Sequence, residues 1–392
     1  MPLSKLFLSH HHEDVHEVQM LATELRLRGI VPWIDKGGGF EIGDHSPAQA
    51  RRVLREDCFG LLFYATESAF DRPFIRDVEI DEARSIHQSN PGFLICAVPR
   101  KISFEELKEL SETKFKWDLS LFHTVSIPSG ADLASCLKEV SNRILLRVLH
   151  QGSGSQDDVF SLQFSTRELL PDRANDILRI DATSLLSSSP SDSNAWQQVL
   201  LALRDIKRLV SEVYGRPRLY VHGSKHLTAA FLFGRVFAPF DLDIRQTATQ
   251  VWRTDQTISS ISPLSASIHK YSGGQGHLLV EIASRNKNIA AGVEPFVQAQ
   301  GIKVSARLQL GPPMEPLDMD NSVCLAAAKQ TYQEIERVVK EEAFEKIHLF
   351  AAVPQSLMIM LGREFKGMPP VWLYEWEGTR YVFSCSVPAG VL

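Results

Sequence analysis

At 392 residues, 44% of them hydrophobic and 23% charged, the chain is longer than one ordinary core and predicts two or three domains. A net charge of −5 and a pI near 6.2 exclude a global pull toward duplex DNA or an anionic membrane, so any basic ligand site is local. Cys58, Cys96, Cys136, Cys324 and Cys385 are far apart and form no C-x-x-C pair. No apolar run has the roughly 18 to 20 residues of a spanning helix, and no basic-then-apolar leader opens the chain. The expectation is a cytoplasmic protein with reduced thiols and with neither DNA nor membrane as partner.

The first block alternates strand and helix signals. Lys5 to Leu8 reads as a strand, and Val15, Val18, Leu21, Ala22 and Leu25 recur at helical spacing before Gly29. Ile30 to Ile34 is a second strand, which Pro32 makes outer or irregular. The run Asp35 to Asp44 carries three consecutive glycines and no phosphate-loop spacing, so it predicts a mobile loop. Ser46-Pro47 opens a helix to about Asp57. Cys58–Tyr64 and Phe93–Val98 are apolar runs of the kind found in parallel strands covered on both faces. Ser103-Phe104-Glu105-Glu106 is a capping box, and a last helix spans about Ala131 to Leu149. This alternation predicts a doubly wound α/β sheet. The triplet His10-His11-His12, followed by Glu13 and Asp14, is not expected to bind metal, because successive residues at a strand end alternate in direction and no second cluster completes a ligand set.

Gln151 to Asp158 is small and polar, and the domain boundary is placed there: a first domain at 1–149, a linker at 150–158 and a second domain at 159–392. The second domain contains a repeat. Arg218-Leu219-Tyr220-Val221-His222-Gly223, with a following apolar helix that ends Gly234-Arg235-Val236-Phe237, matches Lys346-Ile347-His348-Leu349-Phe350-Ala351 and a helix that ends Gly362-Arg363-Glu364-Phe365. The offset is 128 residues throughout. Val159–Phe164 and Leu278–Ala283 pair more weakly as opening strands. Two α/β halves, about 159–275 and 276–392, related by a pseudo-two-fold axis are expected.

Two turns that open helices are anion candidates, because free N–H groups and the helix dipole favour phosphate there. One is Gly223-Ser224-Lys225-His226; its counterpart, Ala352 to Ser356 with Gln355, brings no charge. Trp252, Arg253, Arg285 and Lys287 add an aromatic platform and cations.

The order of pieces in the first block, from Leu6-Phe7-Leu8-Ser9-His10 to Phe74-Ile75-Arg76-Asp77-Val78-Glu79, resembles a TIR domain of the enzymatic kind. The duplicated second domain, with Val353-Pro354-Gln355-Ser356 at a strand-to-helix turn, resembles the SAVED domain of cyclic-oligonucleotide-based anti-phage (CBASS) systems, and the whole chain resembles a TIR–SAVED effector. The implied fold is α/β: a flavodoxin-type parallel sheet followed by two fused CARF-like, Rossmann-like halves. The implied activity is cleavage of the nicotinamide–ribose bond of NAD+, switched on by a cyclic oligonucleotide, with cyclic tri-adenylate the leading candidate. Activation would come through head-to-tail assembly that completes TIR sites between neighbours, and no cofactor is implied. The pyridinium leaves as a neutral group, so one carboxylate that stabilises the ribosyl cation suffices. Glu79 falls at that position. The family pattern has an aromatic residue four before the glutamate and a small one four after; Ala83 fits, but Phe74 lies five before, which leaves Glu82 as the alternative. Ser9, His10, Trp33, Asp35, Phe40 and Phe74 would line the NAD+ site. A non-catalytic TIR scaffold regulated by a nucleotide is the competing expectation.

Overall fold

In the computed structural model the described residues are 5–34, 47–122, 125–152, 159–171, 176–186, 190–257, 262–284, 289–313 and 318–390. Four of the expected site residues, Asp35, Phe40, Arg285 and Lys287, lie outside them, as do linker residues 153–158. The chain forms two compact units: 1–156 with 172–180, and 157–171 with 181–392. The division falls at Gln156/Asp157, and the preceding helix continues to Gly152.

The first unit contains β1 (Lys5–Ser9), α1 (Val15–Leu27), β2 (Pro32–Ile34), α2 (Pro47–Glu56), β3 (Cys58–Ala65), α3 (Glu67–Phe70), one π-helical turn (Ile75–Ile80) that runs on into α4 (Asp81–Ser89), β4 (Leu94–Pro99), α5 (Phe104–Phe115) and α6 (Leu133–Gly152). The four strands are parallel in the order β2-β1-β3-β4, with Pro32 on an edge strand where its missing N–H costs nothing. β3 and β4 are almost wholly buried, as their continuous apolar runs require. The capping box at Ser103 and Glu106 is formed on both sides. Phe7, Phe63, Phe70, Ile80, Ala83 and Phe115 belong to one core on this sheet.

The chain continues with β5 (Val159–Ser165), β6 (Leu178–Asp181), α7 (Thr183–Leu186), α8 (Ser193–Tyr214), β7 (Arg218–His222), α9 (Leu227–Val236), β8 (Leu242–Arg245), β9 (Val251–Arg253), β10 (Ser265–Lys270), β11 (His277–Ala283), α10 (Ala290–Ala299), β12 (Val304–Gly311), α11 (Asn321–Glu341), β13 (Lys346–Ala352), α12 (Gln355–Glu364), β14 (Val371–Glu377) and β15 (Arg380–Val387); all of these but β6 lie in the second unit. Two sheets result, β6-β5-β7-β8-β9 and β10-β12-β11-β13-β14-β15. In each, a parallel series ends in an antiparallel strand, β8 with β9 and β14 with β15. The duplication is therefore structural: Val221 pairs with Ile244 as Leu349 pairs with Leu373.

The expected division between halves at 275/276 needs correction. β10 lies before it in sequence yet pairs antiparallel with β12, so the second half begins by Ser265. Five of its six side chains are exposed, which left no apolar alternation to read.

The two halves meet along α9 and α12. A Cβ at Gly234 would stand 1.9 Å from the carbonyl oxygen of Ile359, and one at Gly362 would stand 2.2 Å from that of Phe231. These contacts are mirror images under the 128-residue offset, so each helix presents its glycine to the other's backbone. The arginine after each glycine also reaches backbone: Arg363 donates to the carbonyls of Phe237 (3.2 Å) and Phe240, and Arg235 to that of Gly390. The Gly-Arg-x-Phe recurrence thus records a close helix crossing.

Candidate functional sites

In the first unit, Ser9 ends β1 and its Oγ donates to Oε2 of Glu79 at 2.5 Å. Both residues are buried. Glu79 lies in the π-helical turn, at the carboxyl end of the parallel strands, where open α/β sheets take ligands. A π turn closes i→i+5 bonds, so Phe74 and Glu79, five apart, occupy the one-turn relationship that four-apart residues hold in an α-helix. Glu82 is engaged otherwise: Arg55 grips both its oxygens, one at 3.1 Å from Nη2, and Arg51 approaches at 3.9 Å. Between the two carboxylates, Glu82 is a buried ion-pair partner and Glu79 a hydroxyl-bound group at the strand ends.

The residues expected around Glu79 are placed unevenly. His10 turns back and donates from Nδ1 to the Leu8 carbonyl at 3.0 Å. Trp33 stacks on Phe7, centroids 4.5 Å apart, and packs on the core of the sheet. Phe74 is half-buried. The direction argument applied to the histidines is corrected. His12 to Asp14 form a 3-10 turn instead of continuing the strand, and donor atoms of His11, His12 and Glu13 fall within 4.8 Å of one another. Arg72 already contacts Nδ1 of His12 at 3.0 Å, and burial holds His11 below its ordinary pKa.

The second unit holds a cavity of about 980 Å³ between its two halves, at the upper end of the range for small-molecule sites. The first half lines it with Arg167, the turn His222–Lys225 and the segment Ile244–Thr247; the second with Ala351–Ser356, Gly292, Trp376 and Tyr381. The turn is tight: Gly223 has φ +113°, and a Cβ there would stand 2.2 Å from the Phe164 carbonyl oxygen, so only glycine lets β7 end there. Lys225 follows, 3% exposed, with Nζ donating to the Gly223 carbonyl at 2.9 Å. Burial lowers its pKa to about 7, so near neutral pH the amine is poised between charged and uncharged forms.

Of the expected residues here, Ser224, Lys225 and Gln355 line the cavity. His226 caps α9 from outside the lining, with its ring 3.0 Å from Thr166 Oγ1 and its pKa lowered by burial to about 4. Trp252 is 3% exposed and offers no platform, because β9 alternates and buries its middle residue between exposed Val251 and Arg253. Arg253 pairs with Asp243 at 3.6 Å, and neither it nor Trp252 lines the cavity. The start of α9 is not open to phosphate as expected: Glu375, from β14 of the other half, accepts from the Thr228 N–H at 2.5 Å. Burial raises the pKa of Glu375, while Arg167 lies 3.4 Å away. Arg167, Arg245, Trp376 and Glu375 were missed from sequence; each is a single residue outside any motif.

No described helix is long and apolar enough to cross a membrane. No curated protein matches the chain. Among solved structures, the Cap4 SAVED/CARF-domain containing receptor of Acinetobacter baumannii with the cyclic trinucleotide 3'3'3'-cAAA is similar at 15% identity and TM-score 0.53, over 83% of this chain and 87% of that one. The same receptor with 2'3'3'-cAAA is similar at 16% identity and TM-score 0.53, over 84% and 87%. Residues 202–387 match the family model of SAVED, the "SMODS-associated and fused to various effectors sensor domain", and the C-terminal region of this mixed α/β chain has a SAVED/CARF-like fold.

Proposed function

We propose that the chain is an NAD+ glycohydrolase switched on by a cyclic oligonucleotide bound in the cavity of the second unit. The observation that carries the reading is that cavity: it lies between duplicated halves and is lined by Lys225, Arg167 and Arg245. Its volume exceeds what a mononucleotide needs, and the similar Cap4 receptor structures hold cyclic trinucleotides. Cyclic tri-adenylate is accordingly the proposed activator. For the N-terminal unit, the reading rests on the resemblance to enzymatic TIR domains, on the flavodoxin-type strand order and on Glu79 held by Ser9 at the strand ends. Glu79 would stabilise the ribosyl cation as nicotinamide departs, and water would complete the hydrolysis. Activation would proceed by head-to-tail addition of ligand-bound protomers, a heterologous contact that need not close.

The test is NAD+ turnover by the full chain against a panel of cyclic di-, tri- and tetranucleotides. Turnover that appears only with one ring size, and rises more steeply than linearly with protein concentration, is expected. Binding of a ring without any NAD+ loss would leave a sensor on a non-catalytic scaffold and overturn the enzymatic half.

A further inference from the structure

The two walls of the cavity differ in chemistry. Among the described residues, the cationic side chains that line it, Arg167, Lys225 and Arg245, all come from the first half. The second half contributes Trp376, which is 45% exposed although it is the penultimate residue of a strand whose preceding residues are largely buried. Its ring is held by two neighbours. Tyr381, its partner on β15, meets it edge-on with centroids 5.0 Å apart and planes at 71°. Gly292 in α10 packs against the same pair, where a Cβ would come within 2.7 Å of Cζ3 and 3.2 Å of Cη2 of the indole and 3.4 Å of Cε2 of Tyr381. Strand pairing makes Thr247 the counterpart of Trp376 in the first half, since Leu373 and Ile244 hold equivalent places. The duplication therefore supplies one indole where symmetry would supply two.

A large, rigid aromatic face left open on a cavity whose opposite wall is cationic suits a ligand that carries both anionic and flat aromatic groups. Resting on the reading of this cavity as a cyclic-oligonucleotide site, we propose that Trp376 is the stacking platform for one nucleobase. The phosphates face Lys225, Arg167 and Arg245, so a chemically symmetric ring is held in a single orientation across the pseudo-two-fold axis. Base-on-aromatic stacking supplies affinity without neutralising charge, whereas a cation contact releases counterions and makes affinity salt-dependent.

That difference provides the test. Cyclic tri-adenylate is titrated into the full chain at several salt concentrations, and tryptophan emission is followed in parallel. Trp376→Ala is expected to weaken binding by about 5- to 150-fold, with the slope of log affinity against log salt unchanged. Trp376→Phe should keep most of the affinity while losing the ligand-induced quench of emission. Lys225→Met should weaken binding and flatten the salt slope. The proposal is overturned if Trp376→Ala binds like the parent chain, if the quench survives in Trp376→Phe, or if Trp376→Ala flattens the slope as Lys225→Met does. If the parent chain binds no cyclic di-, tri- or tetranucleotide, the sensor reading itself fails, and the platform with it; a parent that binds while the Trp376 variants behave like it defeats the platform alone.

Discussion

Substituting Gly234 by Ala opposes two effects whose signs differ. Alanine is the better helix former by about 1 kcal/mol, so on an open helix the change would raise stability. At the crossing of α9 and α12, however, the new methyl carbon would lie 1.9 Å from the Ile359 carbonyl oxygen, 2.7 Å from its carbon and 3.0 Å from Cα. Backbone cannot swing aside as a flexible side chain can, so the helices must part by about 1 Å. A gap of that size removes a quarter to a half of the dispersion energy of the atoms it separates. Here those atoms belong to two almost fully buried helices, with Phe231, Phe233, Leu357 and Leu361 all at 0% exposure. Overpacking of this kind costs about 1–3 kcal/mol, and a backbone clash belongs at the upper end. The net expectation is a loss of about 2 kcal/mol, or about 4–8 °C in the Tm of a unit of this size. Thermal unfolding of the full chain followed by circular dichroism reads this directly. Gly234 and Gly362 share one seam, so once either substitution has opened it the second should cost less than it does alone. A Tm unchanged or raised in Gly234→Ala would refute the close crossing.

Glu79→Gln should abolish activator-dependent NAD+ cleavage while leaving cyclic tri-adenylate affinity and Tm intact; more than a tenth of parental turnover would remove Glu79 from the catalytic role. The pKa of Lys225, about 7 in the free chain, should rise when a phosphate sits beside it, so binding takes up a proton and affinity falls as pH climbs above about 7. Calorimetry in buffers of different ionisation enthalpy should show that uptake, and Lys225→Met should abolish it; equal heats in the two buffers would contradict the assignment. His348 is buried against Tyr374 (2.6 Å) and His277 (3.3 Å), and burial lowers its pKa to about 3. The unfolded chain takes up a proton near pH 6.5 that the folded chain refuses. Its contribution therefore falls by about 1.4 kcal/mol per pH unit from about 6.5 toward 3. His348→Gln should make the denaturation midpoint less sensitive to acid, and an unaltered pH slope would count against this account.

The parts legible in the sequence were those in which a local rule and the tertiary structure agree. Apolar runs such as Leu61 to Tyr64 reveal buried parallel strands, and Ser103 with Glu106 reveals a helix start. Gly-Arg-x-Phe was visible because a helix contact imposes glycine at the same place twice. β10 escaped because an exposed edge strand needs no apolar face. Trp252 misled because residue type indicates what a side chain can do, whereas the alternation of a three-residue strand decides which way it points. Lys225, which lines the cavity, is legible from its place after a strand and before a helix. Glu375 could not be found that way, since its partner amide at Thr228 lies 147 residues away and only the pairing of the halves brings them together.

The π-helical turn at Ile75–Ile80 bears on how this chain tolerates changes of length. An extra residue in an α-helix rotates everything beyond it by about 100°, which here would swing Ile80 and Ala83 off the core. A single wide turn confines the surplus, so the helix enters with Phe74, leaves with Ala83 on the core side and still presents Glu79 to Ser9. The segment therefore behaves as a helix with one residue too many and its reading frame restored. A one-residue deletion inside the turn should leave a regular helix with an aromatic four places before the glutamate, whereas the same deletion within α4 should shift the exposed and buried faces of everything after it.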